Sequence, residues 1–216
     1  MRQFLRFFAS SAIVLAAFAA QADELESMLQ RIDRIQADPA ARQAAVEAGE
    51  ERTLLCQYCH GADGNSAKAE VPNLAGQNVG YLLQQIDHFS SGTRKDYVMN
   101  QLAENFSAED KINVALFYHH QSLRAQLVDS ALAVRGRPLY QHLCRECHGE
   151  DGHGSVTLAR LASQRPDYVA YSLHQFRDEA AGKGGLQRRN PLMADVAKKL
   201  TDEQIEALAA YVAQMP

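Results

Sequence analysis

CQYCHG at residues 56–61 and CRECHG at 144–149 together hold all four cysteines of a 216-residue chain. Each stretch reads Cys-x-x-Cys-His. Three chemistries compete for such a cysteine pair. An oxidising compartment allows a disulfide, a CxxC pair can act as a redox dithiol, and two pairs can in principle build a zinc site. The histidine that follows each pair at once points instead to covalent attachment of c-type haem. Two thiols one helical turn apart can each form a thioether with a haem vinyl group, and the adjacent imidazole then faces the iron. Cys56, Cys59, Cys144 and Cys147 are the expected attachment points, and His60 and His148 the expected proximal ligands.

The surroundings of the two stretches also correspond. GQNVGYLLQQIDHF at 76–89 aligns with SQRPDYVAYSLHQF at 163–176, and MNQLAENFSAED at 99–110 aligns with MADVAKKLTDEQ at 193–204. A repeat this long means two copies of one unit. The spacing between copies grows from 87 residues to 94 across RDEAAGKGGLQRRN at 177–190. That Gly-, Arg- and Lys-rich insert predicts an exposed loop.

Each copy reads as helices joined by loops, with little strand-like alternation, so the chain is predicted to be all-α. A short helix precedes each cysteine pair, marked by Ala45, Val46, Leu54 and Leu55 in the first copy and by Ala133, Val134, Leu139 and Tyr140 in the second. A central helix begins near Tyr81 or Tyr168. Ser107 with Asp110, and Thr201 with Gln204, form capping-box patterns at the start of each last helix.

Met99 and Met193 coincide in the repeat, each 8 residues before its capping Ser or Thr, in what reads as a loop. A thioether there can face the iron opposite the histidine, and His/Met ligation raises the reduction potential. Met28 reads as core filler. The remaining histidines, His88, His119, His120, His142, His153 and His174, do not coincide between copies and read as packing or surface residues.

Residues 1–22 carry two arginines, a 13-residue apolar run and a final Ala-Gln-Ala. That order predicts a secretory signal peptide cleaved before Asp23, and the run is short for a bilayer span, which needs about 20 residues. Beyond residue 22 the chain holds 20 basic and 26 acidic residues, too few positive charges to suggest nucleic acid as a partner. The imbalance lies in residues 23–130, with 16 acidic against 9 basic; residues 131–216 hold 10 against 11. Residues 23–44 lie outside the repeat. There Leu25, Met28, Leu29, Ile32 and Ile35 line one helix face, which predicts a helix docked on the protein's own surface rather than a free interaction arm.

With CQYCHGADG, CRECHGEDG, Met99 and Met193 in view, residues 45–216 resemble the dihaem class I cytochromes c of the cytochrome c4 type. The resemblance implies an all-α chain of two tandem class I cytochrome c domains, at 45–125 and 126–216, following the signal peptide at 1–22 and a helical extension at 23–44. It implies two covalently attached haem c groups, with His60, Met99, His148 and Met193 as iron ligands and no catalytic residue. It implies a periplasmic electron carrier whose redox partners are a quinol-oxidising complex and a haem-copper terminal oxidase, with room for peripheral contact with a membrane. The competing classes are a fixed electron-transfer subunit of a larger dehydrogenase or oxidase, and a dihaem peroxidase or thiosulfate-oxidising enzyme. The second class wants an open or unusually ligated iron, which two equivalent methionines argue against. In such domains a proline carbonyl holds the proximal histidine. Pro72 matches, whereas Ala159 stands in its place in the second copy, which predicts a difference between the two sites.

Overall fold

A computed structural model describes residues 23–126, 128–183 and 188–216. The expected signal peptide and residues 184–187 of the insert lie outside them. Eleven helices stand among the described residues. α1 covers 23–37. The first copy then has α2 (Pro39–Arg52), α3 (Gln57–His60), α4 (Val79–Ser90), α5 (Tyr97–Ala103) and α6 (Ala108–His119). The second has α7 (Ser130–Leu143), α8 (Arg145–His148), α9 (Pro166–Ala180), α10 (Pro191–Ala197) and α11 (Asp202–Gln214). The helices therefore match one for one. The extended pairing among the described residues is a single antiparallel bridge, Arg94 with Arg188.

Each copy is closed by crossing its first helix over its last, α2 over α6 and α7 over α11. The crossings are possible because both carry glycine at the contact. A Cβ on Gly49 would lie 2.2 Å from the Asn113 carbonyl oxygen, and one on Gly136 would lie 2.0 Å from that of Ala207. Both are far inside contact distance, so the backbones touch where a side chain would hold them apart. Around the first crossing Leu83, Ile112, Ala115 and Leu116 form the core; around the second, Tyr140, Ile205, Leu208, Ala209 and Val212 do. Both capping boxes form as the sequence predicts, Ser107 with Asp110 and Thr201 with Gln204. They start α6 and α11 at the register that aims these core residues inward.

Three of the apolar residues that mark the helix before each cysteine pair face out: Leu54, Leu55 and Val134 are each more than 50 % exposed. α2 stops at Arg52, so the helical period no longer governs Leu54 and Leu55. On α7 the buried line runs Ala133, Gly136, Tyr140, which leaves Val134 on the outer face. α1 docks as its apolar face predicts. Met28 and Ile32 are buried in the first core, Leu25, Leu29 and Ile35 pack on it, and Arg31 pairs with Glu109 at 2.8 Å. Burying Met28 and Ile32 contributes about 1.5–3 kcal/mol each.

The two copies meet along a polar seam. Gln77 bonds the main chain of Arg160, and Gln164 bonds the main chain of Asn73. The Asn78 amide donates to the carbonyls of His153 and Leu158, and the Tyr81 N–H of α4 donates to the Val156 carbonyl at 2.9 Å. The predicted loop insert is exposed at 180–183 and 189–190, as expected, and departs from the expectation in two places. Its first residues, Arg177–Ala180, prolong α9, and its far end carries Arg188 into the seam. There the guanidinium donates to the Tyr81 hydroxyl at 2.7 Å, the Tyr168 hydroxyl at 3.1 Å and the Ser172 hydroxyl at 3.0 Å, and it stacks over Phe176. Arg94, its counterpart in the first copy, donates to Gln85 and Tyr168 and stacks over Phe89. The reversal follows from bonding: a cation with three hydroxyl acceptors and an aromatic face is better placed inside than in solvent.

Gly49→Ala and Gly136→Ala are each expected to lower stability by about 2–3 kcal/mol, because the helices must part to admit a methyl group, as read from urea unfolding of the holoprotein. Burial raises the Asp110 carboxyl, but the Ser107 hydroxyl and backbone N–H, with Arg52, outweigh it and hold the group below its ordinary range. Such a carboxylate stabilises the fold above its unfolded pKa and loses that effect as pH falls through the lower folded value. Asp110→Ala therefore costs about 1 kcal/mol near neutral pH, and the gap to wild type closes below about pH 4, as read from urea midpoints across pH. Arg188→Leu strands the hydroxyls it served and costs about 2 kcal/mol, with the loss appearing as a separate, earlier unfolding of one copy.

Candidate haem centres

The cysteine pairs sit where a long helix ends. In the first copy the chain leaves α2 at Arg52, and Thr53 ties the turn back through its hydroxyl to the Glu50 carbonyl. The single turn α3 then carries Cys59 and His60, with Cys56 at its N-cap. Cys144 and α8 repeat this in the second copy. Each turn ends at a glycine with φ +82°, Gly61 and Gly149. A residue with a side chain is strained there, and the glycine lets the chain leave the histidine sharply.

Neither cysteine pair is joined by a disulfide. Among the described residues no three of His, Cys, Asp and Glu cluster as a metal ion would need, so the two pairs do not build the zinc site weighed above. Burial raises the Cys56 thiol above its ordinary pKa and pushes Cys144 up to about 12. A redox dithiol needs the opposite, a thiol made acidic.

The histidines are the most constrained members of the site, each 8 % exposed. Nδ1 of His60 lies 3.0 Å from the Pro72 carbonyl oxygen, and Nδ1 of His148 lies 2.9 Å from that of Ala159. A carbonyl only accepts, so Nδ1 carries the proton in both rings and Nε2 keeps its lone pair. Burial lowers the pKa of both rings, which favours the same neutral, ligating form. The difference expected from Ala159 in place of proline is thus absent at the contact itself. The tether is a main-chain carbonyl, which alanine supplies as well as proline does.

Met99 and Met193 do not lie in loops. Each occupies the first turn of a short helix, α5 or α10. An Asp96 side-chain oxygen accepts from the Met99 N–H at 2.8 Å, and an Asn190 side-chain oxygen accepts from the Met193 N–H at 3.1 Å. The capping residue, three positions before the methionine, is the signal that would have found these helices. Both methionines are half-buried, and Met99 packs against the first core. Met28 is core, as expected. His119 donates from Nδ1 to the Gln77 carbonyl oxygen at 2.9 Å, and His153 contacts the Asp151 carboxylate and the Pro216 carbonyl, in line with packing and surface roles.

Two cysteine pairs on matched turns, each followed by a neutral, tethered histidine with a free Nε2, fit covalently held haem on both sides of the seam. The cytochrome c family profile matches residues 133–216. The chain is 34 % identical to cytochrome c4 of Azotobacter vinelandii over 184 residues, covering 76 % of this chain and 86 % of that protein. It is 31 % identical to a thiosulfate dehydrogenase electron acceptor of Stutzerimonas stutzeri, covering 75 % of this chain and 79 % of that one. Reduced recombinant cytochrome c4 from Pseudomonas stutzeri superposes with a TM-score of 0.69 at 30 % identity, over 79 % of this chain and 98 % of that structure. The helices thus form two cytochrome c domains with covalently bound haem c, and this electron carrier belongs to the cytochrome c4 family.

Proposed function

We propose that this chain carries single electrons in the periplasm from a quinol-oxidising complex to a haem-copper terminal oxidase, touching the membrane only peripherally. Cys56, Cys59, His60 and Met99 hold one haem, and Cys144, Cys147, His148 and Met193 hold the other. The first domain takes residues 45–125, and the second takes 126–216. A signal peptide at 1–22 exports the chain, and the extension at 23–44 stays docked on the first domain. Among the described residues no helix is long and apolar enough to cross a membrane, which agrees with this placement.

The observation that carries the reading is the equivalence of the two sites. Both have a carbonyl-tethered histidine and a methionine fixed at the same position of a capped helix. A haem iron bound by such a histidine and methionine would exchange one electron and leave no position for a substrate. The chain's own residues then do three things. The carbonyls of Pro72 and Ala159 keep each imidazole in one tautomer and one orientation. The caps at Asp96 and Asn190 fix where each thioether lies. Arg94 and Arg188 sit at the seam, form no ion pair among the described residues, and would supply positive charge to a bound haem's carboxylates.

A second reading makes the chain the electron acceptor of a sulfur-oxidising dehydrogenase. The Stutzerimonas stutzeri relative named for that role supports it. Reduction rates with a quinol-oxidising complex and with a thiosulfate dehydrogenase separate the two.

Met99→Ala and Met193→Ala are each expected to remove about half of the weak red absorption band of Met–ferric ligation, since each acts on one of two similar haems. Both haems stay covalently attached. An unchanged band in either variant, or high-spin iron in the unaltered protein, overturns the ligand assignment.

A further inference from the structure

The tethers that hold the two histidines are themselves held, each by the opposite domain. The Pro72 carbonyl that accepts from His60 belongs to the peptide group whose N–H is on Asn73. That N–H donates to Oε1 of Gln164 at 2.8 Å, and Nε2 of the same amide returns to the Asn73 carbonyl at 2.9 Å. The other half repeats this with roles exchanged. The Ala159 carbonyl accepts from His148 and shares its peptide group with the Arg160 N–H, which donates to Oε1 of Gln77 at 2.7 Å; Nε2 of Gln77 returns to the Arg160 carbonyl at 3.0 Å. Each Oε1 also accepts from the next main-chain N–H of its own domain, Asn78 or Arg165, both at 2.9 Å, so neither amide is free to turn. Gln77, Gln164 and Asn73 are 5 %, 6 % and 2 % exposed. In so dry a place hydrogen bonds in series polarise one another.

We infer that Gln77 and Gln164 are reciprocal positioning residues, each tuning the reduction potential of the haem in the other domain. The sign follows from the chain of bonds. An acceptor on the peptide N–H shifts electron density toward that peptide's oxygen, which makes the carbonyl a stronger acceptor for the histidine Nδ1–H. The imidazole then gains anionic character and becomes a stronger donor through Nε2. A stronger donor favours the ferric over the ferrous state and lowers the potential. Removing the glutamine amide reverses each step. The inference rests on the ligand assignment proposed above for His60 and His148.

The test uses the intact holoprotein with Gln164→Leu and Gln77→Leu, which keep bulk and remove the amide. Redox titrations are followed by nuclear magnetic resonance on the methyl signals of Met99 and Met193, assigned with Met99→Ala, so that each haem is read separately. Gln164→Leu raises the potential of the His60 haem and leaves that of the His148 haem in place; Gln77→Leu does the converse. In the reduced protein the Nδ1–H resonance of the histidine across the seam moves as its hydrogen bond weakens. A purely structural seam residue would loosen both domains and move both potentials together. That outcome, a shift confined to the substituted residue's own domain, or unmoved potentials in a folded variant overturns the inference. If one variant does not fold, the other puts the same question through the other haem. High-spin iron in the unaltered protein refutes the ligand assignment, whereas normal ligation with unmoved potentials refutes only the role of the glutamines.

Discussion

The hydrogen bond from each histidine Nδ1 to a main-chain carbonyl is the constraint on which the rest of the structure turns. An imidazole offers iron a usable lone pair only if its other nitrogen holds the proton, and a carbonyl enforces this because it has no proton to give. A carbonyl in that place requires a loop after the cysteines that returns beneath the ring. The loop is itself tied down: the Leu74 and Ala75 N–H groups donate to the Gly64 carbonyl, and those of Leu161 and Ala162 donate to Gly152. Burial keeps water from competing for the tether. It also opposes protonation of the ring, so packing and hydrogen bonding favour one state.

Around that constraint the helices serve as a frame. The glycine crossings bring α2 to α6 and α7 to α11 at backbone contact, and the capping boxes fix where α6 and α11 begin. The short helices with the methionines precede these last helices and are capped in their own right, so their position is set from both ends. α1 adds an apolar cover to the first core alone, which is why that domain has a helix with no counterpart in the second.

What sequence made legible was whatever is local. CxxCH, the capping boxes, the paired methionines and the amphipathic face of α1 each depend on residues within a few turns of one another. The features that escaped depend on distance or on the main chain. Ala159 looked like a departure because a side chain changed, yet the contact uses its carbonyl, which every residue has. The methionine helices were read as loops because seven residues give too short a run for periodicity, although the caps at Asp96 and Asn190 were visible. Arg188 sits in a Gly- and Arg-rich stretch that reads as solvent-exposed, and only its partners on α4 and α9 draw it inside. The glutamine bonds join residues 83 and 91 apart and leave no periodic trace.

The seam has one more consequence. Gln77 with Arg160, and Gln164 with Asn73, are the same contact made twice with the partners exchanged. That is the arrangement of an isologous interface, in which one surface meets its own copy across a two-fold axis. The protein is in this sense a dimer of like domains written as one chain. The connection between α6 and α7 spares it the entropic cost of association that two free chains would bear, so a polar, hydrogen-bonded face suffices where separate subunits would need a larger apolar one. Joining the copies also frees them to differ. The insert that delivers Arg188 lies on one side of the axis only, and no symmetric pair of chains could have kept it so.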